Sequence, residues 1–452
     1  MSEQMQRLDE ETLDDLLEKK NYAEIKLRLS SMNEVDVAEL LNPLDTTHTL
    51  LIFRMLPKDL AADTFAHINK DRQLGIINAI TDTEVEEIVQ ELYFDDMIDL
   101  LEEMPANVVK RVIKNTPIQE RKLINQFLCY PEDSAGSIMT IEMVHLKKED
   151  TVGQAIKHIR ETGLTKETIY TCYVTDAQRH LEGIVSLRKL ITSDEDVKVK
   201  DLMETDIIYT NTFADQEDVA ALFKRYGFIA IPVVDNEHRL IGIITVDDIM
   251  DIMEQEATED FQLMAAMSPT EEEYLDTSVV TLAKNRLPWL LLLMLSATFT
   301  GRIMMHFESL LSQVAVLAAF IPMLMDTGGN SGSQSSTLMI RGLATGEITS
   351  KDWLRVFWKE TRISLLVGTI LASVNFLRLL VLERIPMPIA VTVCATLILT
   401  VVASKLVGGL LPLLAHKLKM DPAIMAGPLI TTIVDALALV VYFGIAQAIL
   451  GI

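Results

Sequence analysis

The sequence predicts a multidomain chain: an α-helical, superhelically stacked N domain, a tandem pair of α/β domains, and an all-α membrane domain with five transmembrane helices. Three observations carry this reading. Charge is divided unevenly along the 452 residues, a strand-containing unit occurs twice, and the last third holds five long apolar segments. The expected boundaries are 1–136 for the N domain, 137–199 and 200–258 for the two α/β copies, 259–285 for a connecting helix and 286–452 for the membrane domain.

From Lys284 onward 13 Lys/Arg stand against 8 Asp/Glu, whereas the residues before it carry 27 and 57. The two parts hold formal charges of +5 and −30, so the mean of −25 describes neither. An acidic half of this size repels nucleic acid and anionic lipid and attracts cations. Solubility alone also explains acidity, so placement has to decide. Cys129, Cys172 and Cys394 are odd in number and far apart, which argues against disulfides and a zinc site. The acidic, amphipathic N-terminus lacks a signal-peptide pattern, and the first half is expected in the cytoplasm.

Over 8–127 short amphipathic segments are broken by Pro, Asp or Asn, as in PKDLAADTFAHI, TDTEVEEIVQEL and FDDMIDLLEEMP. Apolar residues recur at three and four, and acids stand at segment starts where the helix dipole favours them. Each segment is too short to bury its own core, so they are expected to stack.

Over 137–254 an internal repeat appears. Met139 and Gly163 correspond to Met203 and Gly227, and Asp176 and Gly183 to Asp235 and Gly242. Each copy reads helix, strand, turn, strand, helix, with apolar β-branched runs either side of an Asp/Asn turn. The duplicated pattern resembles a tandem pair of CBS domains.

Beyond Gly242 no Lys or Arg occurs until Lys284, and that stretch holds eleven Asp/Glu. Its latter part, 260–284, reads as an amphipathic helix interrupted at Ser268-Pro269. Five segments then have the ~20 apolar residues that a bilayer requires: 287–307, 314–340, 363–382, 386–415 and 424–450. With the N-terminal half inside, the inner flanks carry nine Lys/Arg, from Lys284 and Arg286 to Lys417 and Lys419. The outer flanks carry Arg302, Arg378 and Arg384. This charge bias agrees with a cytoplasmic-membrane protein whose C-terminus lies outside.

Asp435 falls near the middle of the fifth segment. A carboxylate there costs about 2.5–3.5 kcal/mol on insertion scales, so it should face a hydrated path or a partner such as Lys405. Thr431 and Thr432 stand one turn earlier. The second segment contains PMLMDTGGNSGSQSST, where glycines and serines permit close helix approach and Asp326 and Asn330 suggest a hydrated lining. These are oxygen donors, which suit a hard divalent cation rather than Zn2+ or Cu+. In the acidic half, 247–260 holds seven acids and no base. Asp248 and Asp251 lie one turn apart, Glu256, Glu259 and Asp260 follow, and Asp95 and Asp99 repeat the i,i+4 spacing. A solvated face explains such runs; so does a divalent ion bridging two acidic surfaces that otherwise repel.

YPEDSAGSIMT (130–140), DTGGNSGSQSSTLMIRGLATGEI (326–348) and DPAIMAGPLITTIVDALALVVYF (421–443), with the domain order, resemble the MgtE family of Mg2+ channels over essentially the whole chain. The resemblance implies a homodimer in the membrane lipid with one central pore lined by the second and fifth spans. Asp435 matches the pore aspartate that holds hydrated Mg2+, with Asn330, Thr431 and Thr432 as further lining candidates. The connecting helix matches the plug. Asp95, Asp99, Asp215, Glu217, Asp248, Asp251, Glu256, Glu259 and Asp260 match regulatory Mg2+ ligands. Family members can also bind ATP in the CBS pair, which points to Ser186, Thr245 and Asp248; Lys189 stands in the first copy where Asp248 stands in the second.

The expectation is therefore Mg2+ import closed by cytosolic Mg2+, with no enzymatic activity and no nucleic-acid partner. Transport of Co2+, Mn2+ or Ni2+, and a membrane-bound nucleotide sensor without transport, are the alternatives.

Overall fold

The computed structural model describes residues 8–116, 118–270, 274–275 and 277–451. The chain divides into two compact units, Met1–Ile252 and Met253–Ile452.

The first unit begins with ten short helices: α1 (Glu10–Glu18), α2 (Tyr22–Leu29), α3 (Glu34–Leu41), α4 (Thr46–Phe53), α5 (Lys58–Ala66), α6 (Lys70–Ala79), α7 (Asp82–Glu91), α8 (Phe94–Glu103), α9 (Ala106–Asn115) and α10 (Ile118–Phe127). Polar caps set several starts: Asp9 accepts from Thr12 N, Asp45 from Thr47 N, and Thr81 forms a reciprocal capping box with Glu84. Helices two apart pack together, α3 on α5, α5 on α7 and α7 on α9. This stacking buries Leu13, Ile25, Leu41, Phe65, Ile76, Ile98 and Phe127 in one continuous core.

The duplicated region follows. In the first copy β1 (His145–Leu146) runs parallel to β2 (Thr171–Thr175), which pairs antiparallel with β3 (Leu181–Ser186); α11 (Val152–Thr162), α12 (Leu187–Ile191) and α13 (Val199–Leu202) accompany them. In the second, β4 (Thr210–Asn211) is parallel to β5 (Ala230–Val234), and β5 antiparallel to β6 (Leu240–Thr245), with α14 (Gln216–Tyr226) and α15 (Val246–Met264). The two-residue strands β1 and β4 are too short for a pattern to mark them. The copies interlock reciprocally. A Cβ on Gly183 would come within 2.7 Å of Met203 Sδ, and one on Gly242 within 2.9 Å of Met139 Sδ. Thus the methionine opening each copy lies over the glycine of the other copy's last strand, Met203 over β3 and Met139 over β6.

The second unit contains α16 (Val279–His306), α17 (Glu308–Gln313), α18 (Ile321–Ala344), α19 (Trp353–Val381), α20 (Met387–Lys417) and α21 (Gly427–Leu450). Among the described residues four helical stretches are long and apolar enough to cross a membrane: Val279–His306, Ser350–Val381, Met387–Lys417 and Pro422–Leu450. The expected second span, 314–340, overlaps α18, which starts seven residues later, after a 3-10 segment over Ala315–Phe320, and runs four residues further. Its 24 residues are long enough, but the 326–337 run makes it more polar than the others. α18 lies against α20 and α21, and α20 also against α19. The connecting segment over 259–285, expected to be interrupted at Ser268-Pro269, comprises the end of α15, described non-helical residues within 265–278 and the start of α16. Ala266 takes a positive φ of 54°, Pro269 follows, and Ser278 caps the new helix by accepting from Thr281 N. Residues 271–273 and 276 of that segment lie outside the described residues.

Candidate ion sites

In the second unit Met325, Asp326, Gly329 and Asn330 of α18 and Thr431 and Asp435 of α21 line a cavity of about 200 Å³. Glycine makes this arrangement possible. A Cβ on Gly329 would lie 2.9 Å from Thr431 Cγ2, and one on Gly328 2.8 Å from Val434 Cγ1, so only bare backbone lets α18 approach α21. Asp435, Asn330 and Thr431 therefore share one cavity with Asp326. Thr431 and Thr432 hydroxyls both donate to the Pro428 carbonyl, at 2.9 and 3.0 Å. Thr432 is not among the lining residues. Lys405 has a different neighbour: its Nζ donates to Ser335 Oγ at 3.5 Å.

In the first unit a chain of edge-to-face rings, Phe94–Phe127–Tyr130–Phe213, joins α8 to the second α/β copy. The junction 130–140 is tied down too, through Ala135 N to Ala214 O (2.8 Å) and Gly136 N to Thr212 O (2.9 Å). These contacts hold α8 against the start of α15 and bring Asp95, Asp96 and Asp99 near Asp247, Asp248, Glu142 and Glu167. Burial raises Asp95 to about 9, with the Asp248 charge adding most among its neighbours. Asp96 rises to about 6 and Glu167 to about 7, each through desolvation first, with Asp247 acting on both. Asp99 reaches solvent at the rim; desolvation followed by Asp96 and Asp248 still lifts it to about 7. Desolvation raises Asp248 to about 6, held down in part by a 2.8 Å hydrogen bond donated by Thr245 Oγ1.

Glu167 Oε2 is buried there with no hydrogen-bond partner. Yet among the described residues no three such side chains converge closely enough to chelate a metal ion directly. All the donors are oxygens and the acids outnumber His67 and Lys70, the basic groups acting on them, which fits a hard cation held through its own waters, as Mg2+ prefers.

The remaining expected ligands lie elsewhere. Asp215 caps α14, accepting from Glu217 N at 2.9 Å, beside Ser134, with which it forms a backbone bridge. Asp251 is on the exposed side of α15. Glu256 and Asp260 belong to the second unit, where desolvation, then Asp421 and Glu256, raise Asp260 to about 6. Glu259, on the same turn, is exposed. Ser186 caps α12 by accepting from Lys189 N, and Lys189 Nζ is paired with Glu204 at 2.6 Å.

Reading the sequence missed Asp96, Glu142, Glu167 and Asp421 as members of these groups. Asp96 adjoins Asp95 and could have been included; Glu142 and Glu167 sit in the first α/β copy with no local signal.

The chain matches family models described as divalent cation transporter (residues 321–445), intracellular N domain (32–133) and CBS domain (135–196 and 199–255), the first two bearing the MgtE name. It is 35% identical over 443 residues to "Magnesium transporter MgtE" of Thermus thermophilus, covering 97% of this chain and 98% of the relative. It is 34% identical over 420 residues to the protein of the same name from Bacillus subtilis, covering 93% and 92%. A solved structure, the cytosolic domain of the Mg2+ channel MgtE in complex with ATP, superposes with a TM-score of 0.51 at 32% identity, over 54% of this chain and all of that one.

Proposed function

This chain belongs to the MgtE family of magnesium transporters, and we propose that within it the protein is a Mg2+-selective channel of the cytoplasmic membrane, closed by Mg2+ at its cytoplasmic carboxylates. The observation that carries the reading is the cavity in which Asp435 and Asp326 share one space with Asn330 and Thr431. Two carboxylates with amide and hydroxyl oxygens attract a hard divalent ion, and about 200 Å³ leaves room for several of its waters. In this reading the protein is a homodimer in the lipid bilayer with five spans per subunit, α18 and α21 lining the path, the segment before α16 acting as plug, and the C-terminus outside.

Gating follows from electrostatics. Without a cation, the acids of α8 and those at the start of α15 repel, and the assembly loosens. A cation bound among Asp95, Asp96, Asp99, Glu167, Asp247 and Asp248 removes that repulsion and favours the compact state. Differential binding of this kind is what lets an ion shift a conformational equilibrium. Asp215, Glu217, Asp251, Glu256, Glu259 and Asp260 are read as further regulatory carboxylates, with Asp421 added beside Asp260. ATP is proposed as a regulatory ligand of the CBS pair, with Thr245 and Asp248 as contacts in the second copy and Ser186 in the first.

The test is Mg2+ flux through the reconstituted full chain while Mg2+ is titrated on the cytoplasmic side. Flux that falls with rising Mg2+ supports the reading. Flux indifferent to it removes the gating, and absence of flux removes the channel. Equal flux of Co2+ would replace Mg2+ selectivity by a broader divalent transporter.

A further inference from the structure

Among the described residues the membrane unit buries one acid and one base that the ion path does not use. Glu360 of α19 is 4% exposed and Lys405 of α20 is 5% exposed. Between them stands Ser335 of α18, whose hydroxyl donates to Glu360 Oε2 at 2.7 Å and accepts from Lys405 Nζ at 3.5 Å. Three helices meet at one buried serine.

Ser335 lies on the back of the helix that lines the cavity. At 3.6 residues per turn it is about 180° from Asp326 and about 140° from Asn330. The helices around it are in close contact: a Cβ on Gly408 would collide with the Gly332 carbonyl oxygen, and one on Gly332 would lie 2.7 Å from Ile430 Cγ2. Glycine backbones facing one another restrict separation but present no side chain to resist rotation. The polar contact at Ser335 resists it. A turn of about 20° at a radius of about 5–6 Å would move the Asp326 and Asn330 side chains by about 2 Å, enough to exchange one set of oxygen ligands for another. Buried ionic groups are best attested as devices of register rather than of stability.

We propose that Glu360 and Lys405 are positioning residues of the ion path: acting through Ser335, they fix the rotation of α18 and so the placement of Asp326 and Asn330 opposite Asp435. The inference rests on reading the cavity as the path, and two measurements separate the two claims. The first does not involve transport. In the full chain carrying Asn330→Cys and Cys129→Ser, the labelling rate by a charged thiol reagent is compared with and without Ser335→Ala, Glu360→Gln, and the neutral pair Glu360→Gln/Lys405→Met. The second is the ratio of Mg2+ to Co2+ flux in proteoliposomes for the same changes in the native background. A shift of about threefold in both is expected, the scale on which residues away from a ligand modulate coupling. If Glu360→Gln alone fails to fold, the neutral pair, which leaves no lone buried charge, takes its place. Folded variants with the parent's labelling rate and flux ratio would overturn the proposal. A parent that passes no Mg2+ overturns the ion path, while the labelling still decides whether the network sets the rotation of α18.

Discussion

Of the charges acting on buried Asp95 of α8, that of Asp248 at the start of α15 is the largest, and it has the same sign. Two elements far apart in sequence are thus held together with repulsion built into their contact.

Removing one member of the pair should stabilise the ion-free protein. Asp95→Asn relieves a carboxyl that burial and Asp248 push to about 9, so the Mg2+-free unfolding free energy should rise. The effect should be a few kcal/mol near neutral pH, at roughly 1.4 kcal/mol per pKa unit. Thermal unfolding of the full chain with and without Mg2+ checks this. The Mg2+-induced shift should shrink in the variant, and an undiminished shift would remove Asp95 from the site.

The pH dependence of the Mg2+-free protein has a definite sign. These are acids with raised values: about 6 for Asp96 and Asp248, about 7 for Asp99 and Glu167, and about 9 for Asp95. Each favours the folded state while protonated, fully so below its ordinary value near 4. That contribution is lost progressively as pH rises from about 4 through these raised values, the last of it near 9. Stability without Mg2+ should therefore decline across this window, and millimolar Mg2+ should flatten the decline. Chemical denaturation at a series of pH values is the measurement.

At the ion path, Asp435→Asn keeps the shape of the side chain and removes its charge. Mg2+ flux in proteoliposomes should fall by about tenfold or more, the factor that ~1.4 kcal/mol carries. Asp421→Asn should instead leave maximal flux intact and raise the Mg2+ concentration needed for closure. The amide oxygen can still accept from Ala423 N, as the carboxylate does at 2.7 Å, so the local turn is kept.

The two glycines at the interlock of the CBS copies should differ in tolerance. Alanine at Gly242 would place its Cβ 2.6 Å from the Thr140 carbonyl oxygen, a backbone atom that cannot step aside. At Gly183 the obstruction is the Met203 side chain, which can change rotamer. Gly242→Ala should cost about 1–3 kcal/mol and Gly183→Ala less. Equal costs in thermal unfolding would contradict this account of the interlock.

The organisation of the chain is legible in its sequence. Short helices with acids at their starts, a unit repeated from Met139 and Met203, and long apolar segments are all encoded in neighbouring residues. Periodicity and hydropathy are local quantities. Asp435 stood out on the same ground, since one carboxylate in an apolar run is conspicuous wherever the helix packs.

What meets what was settled only by the tertiary structure. The acidic cluster on α8 gained Glu142 and Glu167 from the first α/β copy, because the aromatic contacts from Phe94 to Phe213 and the anchored 130–140 junction bring those surfaces together. Lys405, a conceivable partner for Asp435 by sequence, instead reaches Ser335 and through it Glu360. That pairing depends on which face of α18 turns toward α19 and α20, a matter of packing between helices far apart in the chain. The sequence determined the domains, the uneven charge and the carboxylate in the membrane, because each is written in consecutive residues. The folded structure alone decided which carboxylates share a site and which buried charges face one another, because those distances depend on helix orientations set by long-range packing.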